Sequence, residues 1–226
     1  MFLAHVSSLQ ASIFSLLAIF SLLLAFVMLG SHWLRNYVYA FAAESWLIAA
    51  LSAAVAYFGG YKELYVIAVL TALFRGLVLP YLLMGIVRKL NVKREIHAVL
   101  QPASSLVIGA LLVMFAFVIA NHMNFQTGIA GQVVVLALTI MLSMKLLGFL
   151  MLAVRDEAVS QILGLLVLEN GIFLGSQILV PGMPMLIEIV ILFDLLIIVA
   201  CFGMLIRYLL VHAGTTSSRQ LNRLVG

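Results

Sequence analysis

The chain has 226 residues, of which 65% are hydrophobic and only 9% charged, and its mean hydropathy is +1.26. Soluble domains average roughly 45 to 50% apolar and about 25% charged residues, so a soluble enzyme and a nucleic-acid-binding module are excluded and an integral membrane protein is implied. The formal charge of +4 does not call for a polyanionic partner, because most of the basic residues flank apolar segments, where they set topology.

Before the first apolar run, residues 1 to 10 hold no Lys or Arg, the positive region that a signal peptide needs, so the first helix is expected to be an uncleaved anchor. Apolar runs of about 20 residues then recur, which suits helices across a ~30 Å hydrocarbon core and not the short alternation of an outer-membrane barrel. Seven spans are predicted, at 10–33, 37–58, 63–87, 102–120, 129–153, 158–179 and 185–211. The expected fold is therefore all-α and polytopic: one transmembrane helical domain over 1–211, followed by a short polar tail over 212–226. Connections are short and marked by Gly59-Gly60, by Asn121 to Asn124 and by Pro181 to Pro184; the longest runs from Arg88 to Gln101. Alternate loops place Arg35, Arg88, Lys89, Lys93, Arg94, Arg155, Arg219 and Arg223 on one side and Lys62 on the other. The Arg-rich side is cytoplasmic by the positive-inside rule, which puts the N-terminus outside and the tail inside. The single cysteine, Cys201, lies in an apolar run, so neither an internal disulfide nor a cysteine-based metal site is expected.

Several charges fall where the bilayer should be. Glu44 lies in the second span, Arg75 in the third, Lys145 in the fifth, Glu169 in the sixth, and Glu188 and Asp194 in the seventh. At a ~1.5 Å rise, all but Glu188 sit roughly 10 to 20 Å deep, in a band about the midplane. Each would cost about 2.5 to 3.5 kcal/mol if it faced lipid, so all are expected to face protein or internal water. Two readings follow. The acids and bases could pair as interhelical glue, or the acidic excess could supply carboxyls that exchange protons along a relay.

The sixth span adds Gln161 two turns before Glu169 and Asn170 directly after it. Gly164, Gly171 and Gly175 form a small-residue stripe, expected to pack closely on a neighbour and to point largely away from Glu169. In the seventh span Glu188 precedes Asp194 by six residues, which sets them about 120° apart around the helix and rules out a dyad. Glu188, near the outer end, fits either an interface residue or a relay member. Asn36 with Glu44 eight residues on mirrors Gln161 with Glu169 eight residues on, so spans one to three and five to seven are candidate parallel repeats joined by an extra helix. Chance placement of polar residues is the alternative.

From Glu157 onward the run Gln161-Ile-Leu-Gly164, then Leu168-Glu169-Asn170-Gly171, Leu186-Ile-Glu188-Ile, Asp194, His212 and the tail from Leu221 resembles the family of E-type membrane subunits of hydrogenase-4, found in formate hydrogenlyase-type complexes. A weaker likeness covers Tyr39-Ala40 and the segment Arg75-Gly-Leu-Val-Leu-Pro80. In its last three helices, 129–211 here, that family is similar to the small K subunit of complex I and to the C subunit of multisubunit cation/proton antiporters, whose helices carry buried glutamates. By position the resemblance implies that Glu169 is the central glutamate, with Asp194 or Glu188 its companion. Arg75 stands where the family pattern commonly has lysine; since arginine does not deprotonate in proteins, it is expected to be a fixed counter-charge.

The expected function is that of a non-catalytic membrane-arm subunit of a hydrogenase-4-like oxidoreductase in a bacterial or archaeal cytoplasmic membrane. Glu44, Lys145, Glu169, Glu188 and Asp194 would be its proton-relay residues and Arg75 the counter-charge. No cofactor is expected in this chain, because His5, His32, His97, His122 and His212 lack paired spacing inside the membrane; nickel-iron and iron-sulfur centres would lie in partner subunits. Expected partners are antiporter-like and other membrane-arm subunits, peripheral hydrogenase subunits on the cytoplasmic side, and membrane lipids, which the basic loop Arg88 to His97 and the tail would meet. An autonomous ion/proton transporter and a purely structural scaffold are the competing readings.

Overall fold

The computed structural model describes residues 7–31, 33–90, 100–123, 128–156 and 158–180, together with the single helical positions Phe193, Ala200, Gly203 and Met204. The regular elements are α1 Ser8–Gly30, α2 Leu34–Gly59, α3 Lys62–Leu73, a π-helical turn Phe74–Val78, α4 Leu79–Leu90, α5 Pro102–His122, α6 Ile129–Val154 and α7 Ala158–Leu179. With α3, the π turn and α4 as one continuous helix, six helices among the described residues are long and apolar enough to cross a membrane. They match the first six predicted spans. The seventh predicted span, with Glu188 and Asp194, lies outside the described residues apart from those isolated positions.

Local chemistry sets the ends of these helices. Ser7 caps α1 by accepting from the Gln10 amide at 3.3 Å, while the Gln10 side chain accepts from the Ser7 amide at 2.9 Å; each satisfies an N–H that the helix cannot. Gly60 ends α2 with φ +73°, a left-handed conformation that glycine adopts without strain, and the chain turns there into α3.

The glycine stripe has a defined partner. A Cβ on Gly164 would stand 2.9 Å from Met151 Cβ, one on Gly171 2.7 Å from Met144 Cβ, and one on Gly148 of α6 2.7 Å from the Gly164 carbonyl. Backbones of α6 and α7 thus touch, with Met141, Met144, Gly148 and Met151 at alternating spacings of three and four along the seam. Helix α5 instead buries only Ser105, Gly109, Ala116 and Ala120 and leaves Val107, Leu111, Met114, Phe115 and Val118 exposed, an apolar face suited to lipid.

Arg155, which the sequence suggested as a topogenic loop charge, is buried. Its Nη2 donates to the Leu29 and Ser31 carbonyls, its guanidinium lies 5.1 Å from the Tyr37 ring centroid, and the Tyr37 hydroxyl donates to the same Ser31 carbonyl. The α6–α7 loop thereby caps the C-terminus of α1 and ties it to α2, where carbonyls have no intrahelical donor and attract a cation. Gln161 Nε2 donates to the Arg155 carbonyl at 2.8 Å, so it serves this loop and not Glu169.

Two apolar clusters fill the bundle on either side of its middle. One joins Leu34 to Phe41 of α2 with Val159 to Val167 of α7 and Leu79, Leu83 and Val87 of α4. The other joins Ile48 to Ala56 of α2 with Phe173 to Ile178 of α7, Leu64 and Ile67 of α3, and Val133 to Met144 of α6. We expect Gly171→Val to destabilise the protein by about 1–3 kcal/mol through overpacking against Met144. Thermal unfolding in detergent checks this, with Gly85→Ala, whose Cβ would meet nothing within 4 Å, as the unchanged control.

Candidate functional site

The interval between the two apolar clusters holds the charges. Glu44 of α2 and Arg75 of the π turn are both buried, as is Asn170 of α7. The π turn explains how arginine reaches this level. From Thr71 onward the buried side chains of this helix fall at Thr71, Arg75, Leu79, Leu83 and Val87, every fourth residue, whereas an α-helix repeats every 3.6. The wider turn, closed by the Leu79 amide on the Phe74 carbonyl, absorbs part of that mismatch. It also lies where Pro80, lacking an N–H, would clash with the preceding turn of an unbroken α-helix. Gly76 leaves room for Trp46, whose Nε1 would stand 3.0 Å from a Cβ there.

Arg75 is held on two sides by α7. Its Nη1 donates to Asn170 Oδ1 at 2.7 Å, and its guanidinium carbon sits 4.9 Å from the Phe173 ring centroid, a cation–π contact. Two carboxylates act on it electrostatically, Glu169 of α7 and Glu44 of α2. Asn170 also interacts with Glu44, through a side-chain hydrogen bond too loose to saturate either group: by strict geometry both Glu44 oxygens, Arg75 Nε and Nη2, and Asn170 Nδ2 lack a partner. Donors and acceptors therefore face one space without saturating each other. Buried polar groups in that condition are ordinarily completed by ordered water.

Two turns along, Ser52 of α2 donates to Gln177 Oε1 at 2.7 Å, again across the α2–α7 interface. Ser45 and Ser52 are seven residues apart, as are Asn170 and Gln177, so the polar positions of the two helices recur at one spacing along the same seam.

Of the residues singled out in the sequence, the structure brings Glu44, Arg75 and Glu169 together, with Glu44 fully buried and Glu169 half-buried. Lys145 is half-buried on α6 at the level of Gly171, outside the groups around Arg75. Glu188 and Asp194 lie outside the described residues. Asn36 is exposed at the start of α2 and Gln161 is spent on the loop, so the two halves of the suggested repeat do not share polar surroundings. Phe173, Ser52, Gln177 and Thr71 are not among the residues singled out in the sequence, although the matched seven-residue spacings mark Ser52 and Gln177. Among the described residues no group of histidine, cysteine and acidic side chains is arranged to hold a metal.

Uncharacterized protein Rv0085 of Mycobacterium tuberculosis is 32% identical over 146 residues, which cover 64% of this chain and 64% of that protein. The chain thus spans just under two thirds of the length of this relative. No family model matches the chain, and no solved structure matches it.

A buried charge stripped of its opposite loses about 3–5 kcal/mol. Arg75→Met should therefore destabilise the bundle by that order, and Glu44→Gln in the same chain should recover part of the loss, since it removes the carboxylate left unbalanced. Chemical denaturation of the two single variants and the double variant measures this coupling.

Proposed function

We propose that this chain is a membrane-arm subunit of a hydrogenase-4-like, complex-I-related oxidoreductase and passes protons within the membrane while electrons move in other subunits. The observation that carries the reading is Glu44: a fully buried carboxylate with no well-formed hydrogen bond and only a loose one to Asn170, beside a guanidinium already fixed by Asn170 and Phe173. Ion-pair glue would favour direct, saturated contacts, since only those repay desolvation of both ions. A carboxylate left open beside a fixed cation suits proton exchange instead.

In this mechanism Arg75 keeps its charge and does not relay. That fixed positive charge acts on both Glu44 and Glu169, the two carboxyls of this layer that the reading assigns to the relay. Lys145 and Asp194, by their depth, and Asp194 or Glu188, by the resemblance to K-type helices, are the further relay links of this reading. The likeness of 157–226 to the E-type membrane subunits of hydrogenase-4 supports the assignment to such a complex. Nickel-iron and iron-sulfur centres belong, in this reading, to partner subunits.

The membrane is the bacterial or archaeal cytoplasmic one, with the N-terminus outside. The Arg155 loop, the Arg35 connection and the loop after α4 would face the cytoplasm, as their excess of basic residues favours. Peripheral oxidoreductase subunits would dock there, antiporter-like subunits beside the helices, and lipid on the apolar face of α5.

Glu44→Gln and Glu169→Gln preserve size and hydrogen bonding but remove the exchangeable proton. Each should leave complex assembly and hydrogenase chemistry with artificial electron carriers intact while abolishing redox-driven proton translocation into vesicles. Normal translocation by the intact Glu44→Gln complex would contradict the reading.

A further inference from the structure

The polar groups around Glu44 continue toward one end of the bundle only. Toward the end formed by Gly60 and Val180, Asn170 is followed by Thr71, one turn from Arg75 on α3, and then by the Ser52 and Gln177 pair. Asn170 and Gln177 are seven residues apart, about 10 Å along the helix. Gln177 stands two residues before the end of α7, and the next residue after that helix, Val180, is exposed. Both ends of this interface are packed with apolar side chains, but toward the Gly60–Val180 end Thr71, Ser52 and Gln177 interrupt them, whereas toward the Arg155 end Val38, Phe41, Leu83, Leu163, Leu166 and Val167 form an unbroken apolar stretch. The next buried polar side chain of α7 on that side, Ser160, lies ten residues from Asn170, about 15 Å away.

A second observation points to an occupant of this stretch. Thr71 Oγ1 and Gln177 Nε2 are buried without a hydrogen bond, and Asn170 Nδ2 and both Glu44 oxygens are buried without a well-formed one. Inward-facing amide and guanidinium N–H groups disfavour a metal cation, and the Glu44 carboxylate disfavours an anion. Water both donates and accepts, and it bridges such groups at little cost.

We propose that Asn170, Thr71, Ser52 and Gln177 line a one-sided water path that links Glu44 to the Gly60–Val180 end of the bundle, while the apolar half seals Glu44 from the opposite end. The path rests on the proton-transfer reading and gives it a direction: protons enter or leave Glu44 from the face that the charge bias assigns to the outside. The Ser52 hydroxyl and the Gln177 amide touch each other across this stretch, so water must exchange past them.

The test uses the intact complex in sealed vesicles, with Cys201→Ser as background. A small sulfonate-bearing methanethiosulfonate reagent is applied to either face of chains carrying Gln177→Cys or Leu166→Cys. Gln177→Cys should be modified from the Gly60–Val180 face alone, with loss of proton translocation on modification, and Leu166→Cys from neither face. Failure to modify Gln177→Cys, or equal modification of Leu166→Cys, overturns the path. Independently, Ser52→Ala with Gln177→Leu should slow translocation at least about tenfold by removing positioned proton carriers. Normal translocation in that double variant, where Glu44→Gln blocks it, refutes the path and leaves the proton-transfer reading standing. Normal translocation by Glu44→Gln refutes that reading itself.

Discussion

An arginine that cannot shed its charge is buried in the middle of an apolar bundle, and the surrounding structure is arranged to hold it. Desolvating a guanidinium costs several kcal/mol, and that cost is offset only by good geometry. The π turn carries Arg75 to the level of Glu44, Asn170 accepts one of its N–H groups, and Phe173 supplies an aromatic face. All of these depend on α7 standing at a fixed height and rotation against α2 and the π turn.

That position is set elsewhere. The glycines of α6 and α7 bring two backbones into contact, so α7 can neither slide nor turn without meeting Met144 or Met151. At the end of the bundle Arg155 ties the α6–α7 loop to the last carbonyls of α1 and to Tyr37 of α2. One arginine at the helix ends therefore fixes the frame within which the other, at mid-depth, is held. The apolar clusters above and below supply the low dielectric that makes the central charges matter to each other.

Much of this is legible in the residues. Runs of apolar residues give the six described helices to within a few positions, because length and hydropathy alone decide what can span a bilayer. The depth of Glu44, Arg75 and Glu169 follows from counting along helices, and the glycine stripe of α7 from its spacing. What counting does not supply is azimuth between helices. The resemblance, not counting, makes Glu169 the central acid, whereas the packing makes Glu44 the more buried of the two. Counting places Arg155 among loop charges, because a lone arginine after an apolar run looks the same whether it sits in water or folds back onto carbonyls. Register along one helix assigns Gln161 to Glu169, and the loop claims it instead. The π turn is visible only as a four-residue spacing ahead of Pro80.

The central claim is that Glu44 gains and loses a proton during turnover. Infrared difference spectroscopy of the intact complex, oxidised against reduced, tests it most directly through the carbonyl stretch of a protonated carboxylic acid. The account predicts a carboxylic-acid band that changes with redox state, shifts in heavy water and disappears in Glu44→Gln. A difference spectrum with no such band, or one whose band is the same in Glu44→Gln, would contradict it.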